Sequence, residues 1–254
     1  MNPIIPYSDI LPEFCAQRCV APSVWGNFGP ITTNPRIIFL RKLMFDLGLD
    51  YETDMWEVSG MTKDGSSVFM YNFYLRGTSN KMIVAHHDIA NPRVDNCNDN
   101  SASVINALAA KVLNPEVNVC ITDCEEFGGK GAQRLSNKIN AGYFGEIEYV
   151  VNLELTAVGG MNFFTERIPM SGLYQKIQTL FPHTPTVFVP FHDGMIFRRN
   201  GIDSLVINPL PVDENGRMKL HYLNFCHSER DTIELANYED MDTFVRFVVT
   251  PLIK

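Results

Sequence analysis

The sequence predicts an α/β fold: a single domain with a mixed, mostly parallel β-sheet sandwiched between helices. Three observations predict it. Short apolar runs of strand length, over residues 82–85, 117–122, 149–154 and 204–207, alternate with stretches of helical spacing. The first three of these runs end abruptly in charged residues, as strands buried on both faces do where they reach the crevice at their carboxyl ends. With 254 residues, 45% of them hydrophobic and 20% charged, the chain fits one large domain, and no repeat, low-complexity tract or composition break marks a second.

Taken in order, residues 1–35 are rich in Pro, Asn and Thr and read as an irregular lead-in with one short helix around residues 13–18. From Pro35, the residues Ile37, Ile38, Leu40, Leu43, Met44 and Leu47 fall at helical spacing, and Gly48 is the terminator. Residues 51–58 and 67–75 read as strands joined through the turn signal Lys63-Asp64-Gly65, an antiparallel hairpin. The buried strand 82–85 leads through a polar loop to a helix starting at Ser101. Strand 117–122 leads to a helix over 131–138, and strand 149–154 ends on a carboxylate. Then come a helix over 171–181, a short strand over 187–189, a helix over 193–200 ended by Gly201, and the buried strand 204–207. The loop 209–225 is long enough to be functional, and an amphipathic helix over 238–249 closes the fold.

A formal charge of −8, with no basic run to offset it, argues against nucleic acid or an anionic membrane as partner. No stretch approaches the roughly 18 apolar residues of a membrane span, and the first residues lack the basic-then-apolar pattern of a secretory signal, so a cytoplasmic protein is expected. Six cysteines at irregular spacing read as reduced thiols. Cys15 and Cys19 could form half a zinc site, but no matching pair accompanies them.

The chemistry gathers at the strand ends. The run 82–85 stops at His86-His87-Asp88, and because strand side chains alternate faces, His86 and Asp88 share a side while His87 points away. His86 is therefore the candidate ligand and Asp88 the group that orients its ring. The following loop returns Asp99 to the same crevice. Strand 117–122 ends in Glu125-Glu126-Phe127-Gly128-Gly129, strand 149–154 in Glu154, and the long loop delivers His227. Alone, an acidic pair on a loop is usually just solvated. At the end of a buried strand, one member can bind a metal while its neighbour stays free to move a proton. Nitrogen and carboxylate donors in this mixture suit Zn²⁺ or a related divalent ion, and five ligands that share one carboxylate would hold two ions.

These motifs, in this order over residues 80–250, resemble the co-catalytic di-zinc exopeptidase family that includes leucyl aminopeptidases and the glutaminyl cyclases. The family's His-x-Asp is matched by His86-His87-Asp88, its Asp-Asn-x-Ser-Gly by Asp99-Asn100-Ser101-Ala102-Ser103, and its Glu-Glu-x-Gly by Glu125-Glu126-Phe127-Gly128. Asn152-Leu153-Glu154 stands for Asn-Leu-Asp, and His227-Ser228-Glu229-Arg230-Asp231-Thr232 for the late His-Thr-x-x-Asp-Thr. The resemblance implies a zinc-exopeptidase fold and two zinc ions bridged by Asp99, with Glu126 and His227 on one and His86 and Glu154 on the other. It also implies Glu125 as general base on a metal-bridging water, and a strained, cis peptide at Asp99-Asn100. The implied function is an aminopeptidase acting on a peptide or amino-acid derivative. The alternatives are a glutaminyl-cyclase-like enzyme using one zinc on Asp99, Glu126 and His227, or an inactive binding protein. The chain departs from the family in Glu154 for Asp, in Ser103 for Gly, and in Cys226 where many relatives carry Tyr or Phe, which leaves Tyr222 as a nearby substitute. In Phe191-His192-Asp193-Gly194 the family's Ser-Asp-His is altered, which leaves His192 as a pocket or surface residue and Asp193 as a pocket candidate. Residue specificity and oligomeric state are not legible. The loops 157–168 and 208–225 that would form the pocket walls carry no motif.

Overall fold

A computed structural model describes residues 2–18, 34–58 and 68–254 and contains one seven-stranded sheet. In chain order the strands are β1 (Glu52–Val58), β2 (Val68–Leu75), β3 (Lys81–His86), β4 (Asn118–Thr122), β5 (Tyr149–Leu153), β6 (Phe163–Phe164) and β7 (Ser204–Pro209). Across the sheet they run β1-β2-β4-β3-β5-β7-β6. The central β4, β3, β5 and β7 pair in parallel, while β1, β2 and β6 extend the edges antiparallel. The hairpin of β1 and β2 is as predicted. Its turn signal at 63–65 lies outside the described residues, as does Cys19.

Strand alternation sorts the core into two layers. Ile83, Ala85, Ile121, Val151 and Leu205 face one side. There they pack under helices α1 (Tyr7–Cys15), α2 (Pro35–Asp46), α3 (Ala102–Leu113), α5 (Gly172–Leu180) and α7 (Tyr238–Phe244). Met82, Val84, Cys120 and Val150 face the other, under α4 (Lys130–Asn140) and α6 (Asp193–Arg199). The same parity carried to the strand ends puts His86, Glu154 and Asn208 on the α4/α6 side, which is what makes a site there.

Three expectations need correction. The helix of the lead-in lies earlier than expected. Tyr7, Ile10, Leu11 and Phe14 form a buried stripe at helical spacing on α1, which starts at Tyr7 and meets the expected 13–18 only in its last turn. Pro12 masks that pattern because proline inside a helix is normally a breaker. The segment 187–189 is not a strand. It lies between Pro185 and Pro190 and touches its neighbour only through the Val187 N–H to Thr165 carbonyl bond (2.9 Å), while the unpredicted β6 takes the edge of β7. The closing helix also runs farther than 249, through a wide turn at Val245–Val249 into Thr250–Ile253.

α2 starts where its sequence says it should. Asn34 accepts from the Arg36 and Ile37 N–H groups (3.0 and 3.3 Å), with Pro35 in the first helical turn. The cap seats Arg36 in the interior, where its guanidinium lies 3.8 Å from the Phe14 ring and donates to the carbonyls of His87 and Phe14 and to Ser101 Oγ. One buried cation therefore ties α1 and α2 to the segment after β3 and to the turn that precedes α3. No helix among the described residues is long and apolar enough to cross a membrane.

Candidate metal centre

β3 delivers His86 at its last residue, with the ring buried. Its Nε2 lies 3.3 Å from Asp99 Oδ1 and 3.5 Å from Glu154 Oε2. On the other side of the ring, Nδ1 faces the Asp88 carbonyl at 3.2 Å and its carboxylate at 3.4 Å. Asp88 does more than orient the imidazole. Its two oxygens accept the backbone N–H groups of Glu125 (3.0 Å) and Glu126 (3.1 Å), so the turn after β4 hangs from the same carboxylate. His87 points the opposite way, with Nε2 against the Tyr71 carbonyl (2.9 Å), and burial pushes its pKa down to about 4. It is a neutral structural imidazole.

Asp99 lies in a tight turn over Cys97–Ser101 whose backbone is held from three directions. Asp231 accepts from the Asn98 and Asp99 N–H groups (2.6 and 3.0 Å). Asn100 donates to the Leu153 carbonyl (3.0 Å) and accepts from the Leu155 N–H (3.2 Å), and Asn98 accepts from the Ala157 N–H (2.9 Å). The Asp99-Asn100 peptide is cis. The turn is thereby fastened to the end of β5, where Glu154 leaves the sheet. Asp99 Oδ1 faces His86, and its Oδ2 faces His227 Nε2 at 3.2 Å. His227 in turn meets Glu126 Oε2 at 2.8 Å. The structure thus brings His86, Asp99, Glu126, Glu154 and His227 together, with one carboxylate dividing its two oxygens between two imidazoles.

The electrostatics are those of crowded carboxylates. Burial first, then the charges of Glu154, Asp193 and Glu126, hold Glu125 well above the usual carboxylate range. Burial and Asp99 bring Glu126 up to about 7, against the opposing His227 hydrogen bond. His86 is desolvated, which opposes charge, yet Glu154, Asp88 and Asp99 around it raise its pKa well above the ordinary value. Asp99 is desolvated too, but hydrogen bonds from His227 and His86 keep it low. A divalent cation fits this set. The donor atoms of His86, Asp99 and Glu126 lie within 4.8 Å of one another, as do those of Asp99, Cys226 and His227. Glu126 Oε1 is buried without a protein partner. These oxygen and nitrogen donors are the ones zinc takes.

The donors line a cavity of about 470 Å³ whose other walls include Phe188, Val189, Phe191 and Leu223. Glu125 lines it too, and no hydrogen bond among the described residues holds its carboxylate. A larger and more open depression of about 640 Å³, between Phe181 and Met218, contains none of these donors. His192 is neither in the pocket nor on the surface. Fully buried, it meets Glu166 Oε2 at 2.9 Å, which Arg198 also reaches at 2.8 Å. Asp193 is buried behind the cavity and accepts from Thr122 Oγ1 (2.6 Å). Its pKa is raised to about 7 by burial and then by Glu154 and Asp88, partly offset by His86 and that hydrogen bond. Tyr222 stands outside, its ring tilted against Phe225 and lining a separate surface cleft with Pro211 and Asn237. Sequence reasoning missed Asp231, although it stands in the late motif, and Asn208. The latter is buried in the cavity wall with both amide atoms unpartnered, and its position at a buried strand's end is the signal that could have found it.

The model of peptidase family M28 matches residues 75–250. No curated protein matches the sequence. Among solved structures, the chain is similar to the glutaminyl cyclase of Porphyromonas gingivalis, with a TM-score of 0.69, 18% identity and 98% of each chain covered. It is also similar to a Zn-dependent exopeptidase from Parabacteroides distasonis, with a TM-score of 0.65, 14% identity and 97% of each chain covered. The LapA aminopeptidase of Legionella pneumophila gives a TM-score of 0.65 at 14% identity, covering 97% of this chain and 69% of that one. At such identities the likeness shows the fold.

Proposed function

The chain belongs to peptidase family M28, and from that premise we propose that it is a zinc-dependent exopeptidase, an aminopeptidase that hydrolyses the N-terminal peptide bond of a peptide or amino-acid derivative. The observation that carries the reading is Asp99, with Oδ1 toward His86 and Oδ2 toward His227. A carboxylate so placed can serve two ions at once, with His86 and Glu154 on its inner side and Glu126 and His227 on its outer side. Bound there, zinc would supply a Lewis acid for the scissile carbonyl and acidify water.

The chain's own residues supply the rest. Glu125 lines the cavity with its carboxylate unheld, and burial raises its affinity for a proton, so once ionised it is placed to take a proton from attacking water and return it to the leaving amine. Asp88 fixes the backbone from which Glu125 projects. Phe188, Val189, Phe191 and Leu223 give the departing residue an apolar wall. A second reading, a glutaminyl cyclase, is favoured by Asn208: its unpartnered amide beside Glu154 offers a donor and an acceptor, the complement of a glutamine side chain. Purified zinc-loaded protein assayed on aminoacyl-nitroanilides and on peptides with N-terminal Gln separates the two. Amine release from the first supports the peptidase, ammonia release from the second supports the cyclase, and neither product removes both.

A further inference from the structure

Cys226 belongs to the cavity and takes no part in the reaction as described. It follows a tight turn over Leu220–Phe225, and its side chain is half-buried, unlike the fully buried Cys15, Cys97 and Cys120. Its Sγ contacts Asp99 Oδ2, the same oxygen that His227 Nε2 meets. Neighbouring side chains on an extended backbone point apart. Here the left-handed backbone of His227, at φ 59°, folds residues 226 and 227 round so that both face one carboxylate oxygen. The donor atoms of Asp99, Cys226 and His227 all lie within 4.8 Å of one another, a spacing that three ligands of one ion satisfy.

We propose that Cys226 is a metal ligand: its thiolate joins Asp99 and His227 in holding the ion on the outer side of Asp99. Sulfur is a preferred zinc donor, and in this site it is the only soft one among nitrogen and oxygen. On binding, the S–H bond breaks, a sulfur–metal bond forms and the proton leaves to solvent. Glu126, which meets His227 at 2.8 Å and whose donor atoms also group with those of His86 and Asp99, stands between the two sides, and turned to the outer ion it would complete the four-donor, closed pattern of a firmly held ion. The inner side, with His86, Glu154 and the shared Asp99, keeps an open position for substrate. The two sides therefore divide the work between holding and reacting.

The proposal rests on the metal reading above, and cobalt(II) substitution of the full chain tests the two separately. Visible ligand-field bands report that cobalt is bound. A near-ultraviolet sulfur-to-cobalt charge-transfer band reports a thiolate ligand. The expected result is both in the wild type, and loss of the charge-transfer band with retained visible bands in Cys226→Ser. X-ray absorption of the zinc-loaded wild type should show a sulfur shell at about 2.3 Å, absent in the variant. Bound cobalt without the charge-transfer band in the wild type, or a band that persists in Cys226→Ser, overturns the thiolate ligand and leaves the metal reading standing. No cobalt bound by a folded wild type overturns both.

Discussion

The two sides of Asp99 are built differently. On the inner side, His86 and Glu154 leave adjacent parallel strands at the centre of the sheet, with side chains 1% and 8% exposed. Each is braced there: His86 by Asp88, and Glu154 by a hydrogen bond from Asn152 (3.1 Å). On the outer side, Glu126 sits in a turn and His227 hangs from a loop with 52% of its side chain exposed. Two connecting segments must therefore be brought to one carboxylate. The inner half inherits its geometry from strand pairing and exists as soon as the sheet does. The outer half needs its loops docked, and Asp231, accepting from the Asn98 and Asp99 N–H groups, fastens the Asp99 turn to the segment that carries His227. Side chains placed by a sheet are pre-organised, whereas side chains placed by loops can adjust.

Glu125 stands between the halves, and replacing it should give the largest effect. Glu125→Gln keeps shape and burial but cannot take up a proton, so turnover should fall by about 10²- to 10⁴-fold with zinc content unchanged. Single-turnover kinetics beside elemental analysis would show it. Retained turnover would remove Glu125 from the proton-transfer role. Asp88→Ala acts on both halves through a group that lines neither ion position. It frees the His86 ring and releases the Glu125 and Glu126 N–H groups together. Metal affinity should drop by about 10- to 100-fold. If the loss is confined to one ion by competitive chelation, the two halves are less linked than this shared carboxylate indicates.

The same contrast explains what the sequence disclosed. Strand parity alone separates His86 from His87 and puts His86 beside Glu154, because a period of two cannot be broken within a buried strand. α1 lies earlier than the helix expected around residues 13–18 because Pro12 hides its buried stripe, and the segment 187–189 misled because its apolar residues line a cavity wall instead of pairing. His192 could not be placed by pattern at all. Its burial depends on Glu166 and Arg198, whose approach is a tertiary event. Tyr222 failed for a similar reason: its place in a tight turn aims it away from the cavity, a direction that proximity in sequence to His227 does not convey.

Acidity offers a gentler way to sharpen the comparison. In the metal-free protein the raised groups, Glu126 and Asp193 at about 7 and Asp231 at about 6, bind protons more tightly folded than unfolded. Between their ordinary carboxylate values and pH 7 the native state therefore holds more protons, so stability falls as pH rises through that window. His86 and His227, raised as well, lose their contribution as pH rises above the unfolded histidine value, which adds the same sign, while His87, lowered to about 4, opposes them only between that value and the unfolded one and is outnumbered. Metal-free protein should accordingly melt at lower temperature at pH 7.5 than at pH 5. Zinc should reverse the order, because its ligands must be deprotonated and binding tightens with pH. A melting temperature of the metal-free protein that rises steadily over this range would mean that the carboxylates do not share one buried site.

The smallest effect belongs to Asn208, at the inner edge beside Glu154. Both atoms of its amide are buried without a protein partner, and an unsatisfied buried polar group costs about 1–3 kcal/mol unless something else pairs with it. If substrate is that partner, Asn208→Leu removes a cost from the free protein and a contact from the complex. Melting temperature should then rise by about 2–4 °C for each kcal/mol recovered, while KM rises up to about tenfold, a loss of about 1.4 kcal/mol in binding. Stability and substrate affinity must therefore change in opposite directions. A variant that loses stability and keeps its KM would show that Asn208 serves the fold through ordered water, and the inner edge would then be structure alone. A rise in both, largest on substrates with an N-terminal amide side chain, would identify the inner side as the one that reads the substrate.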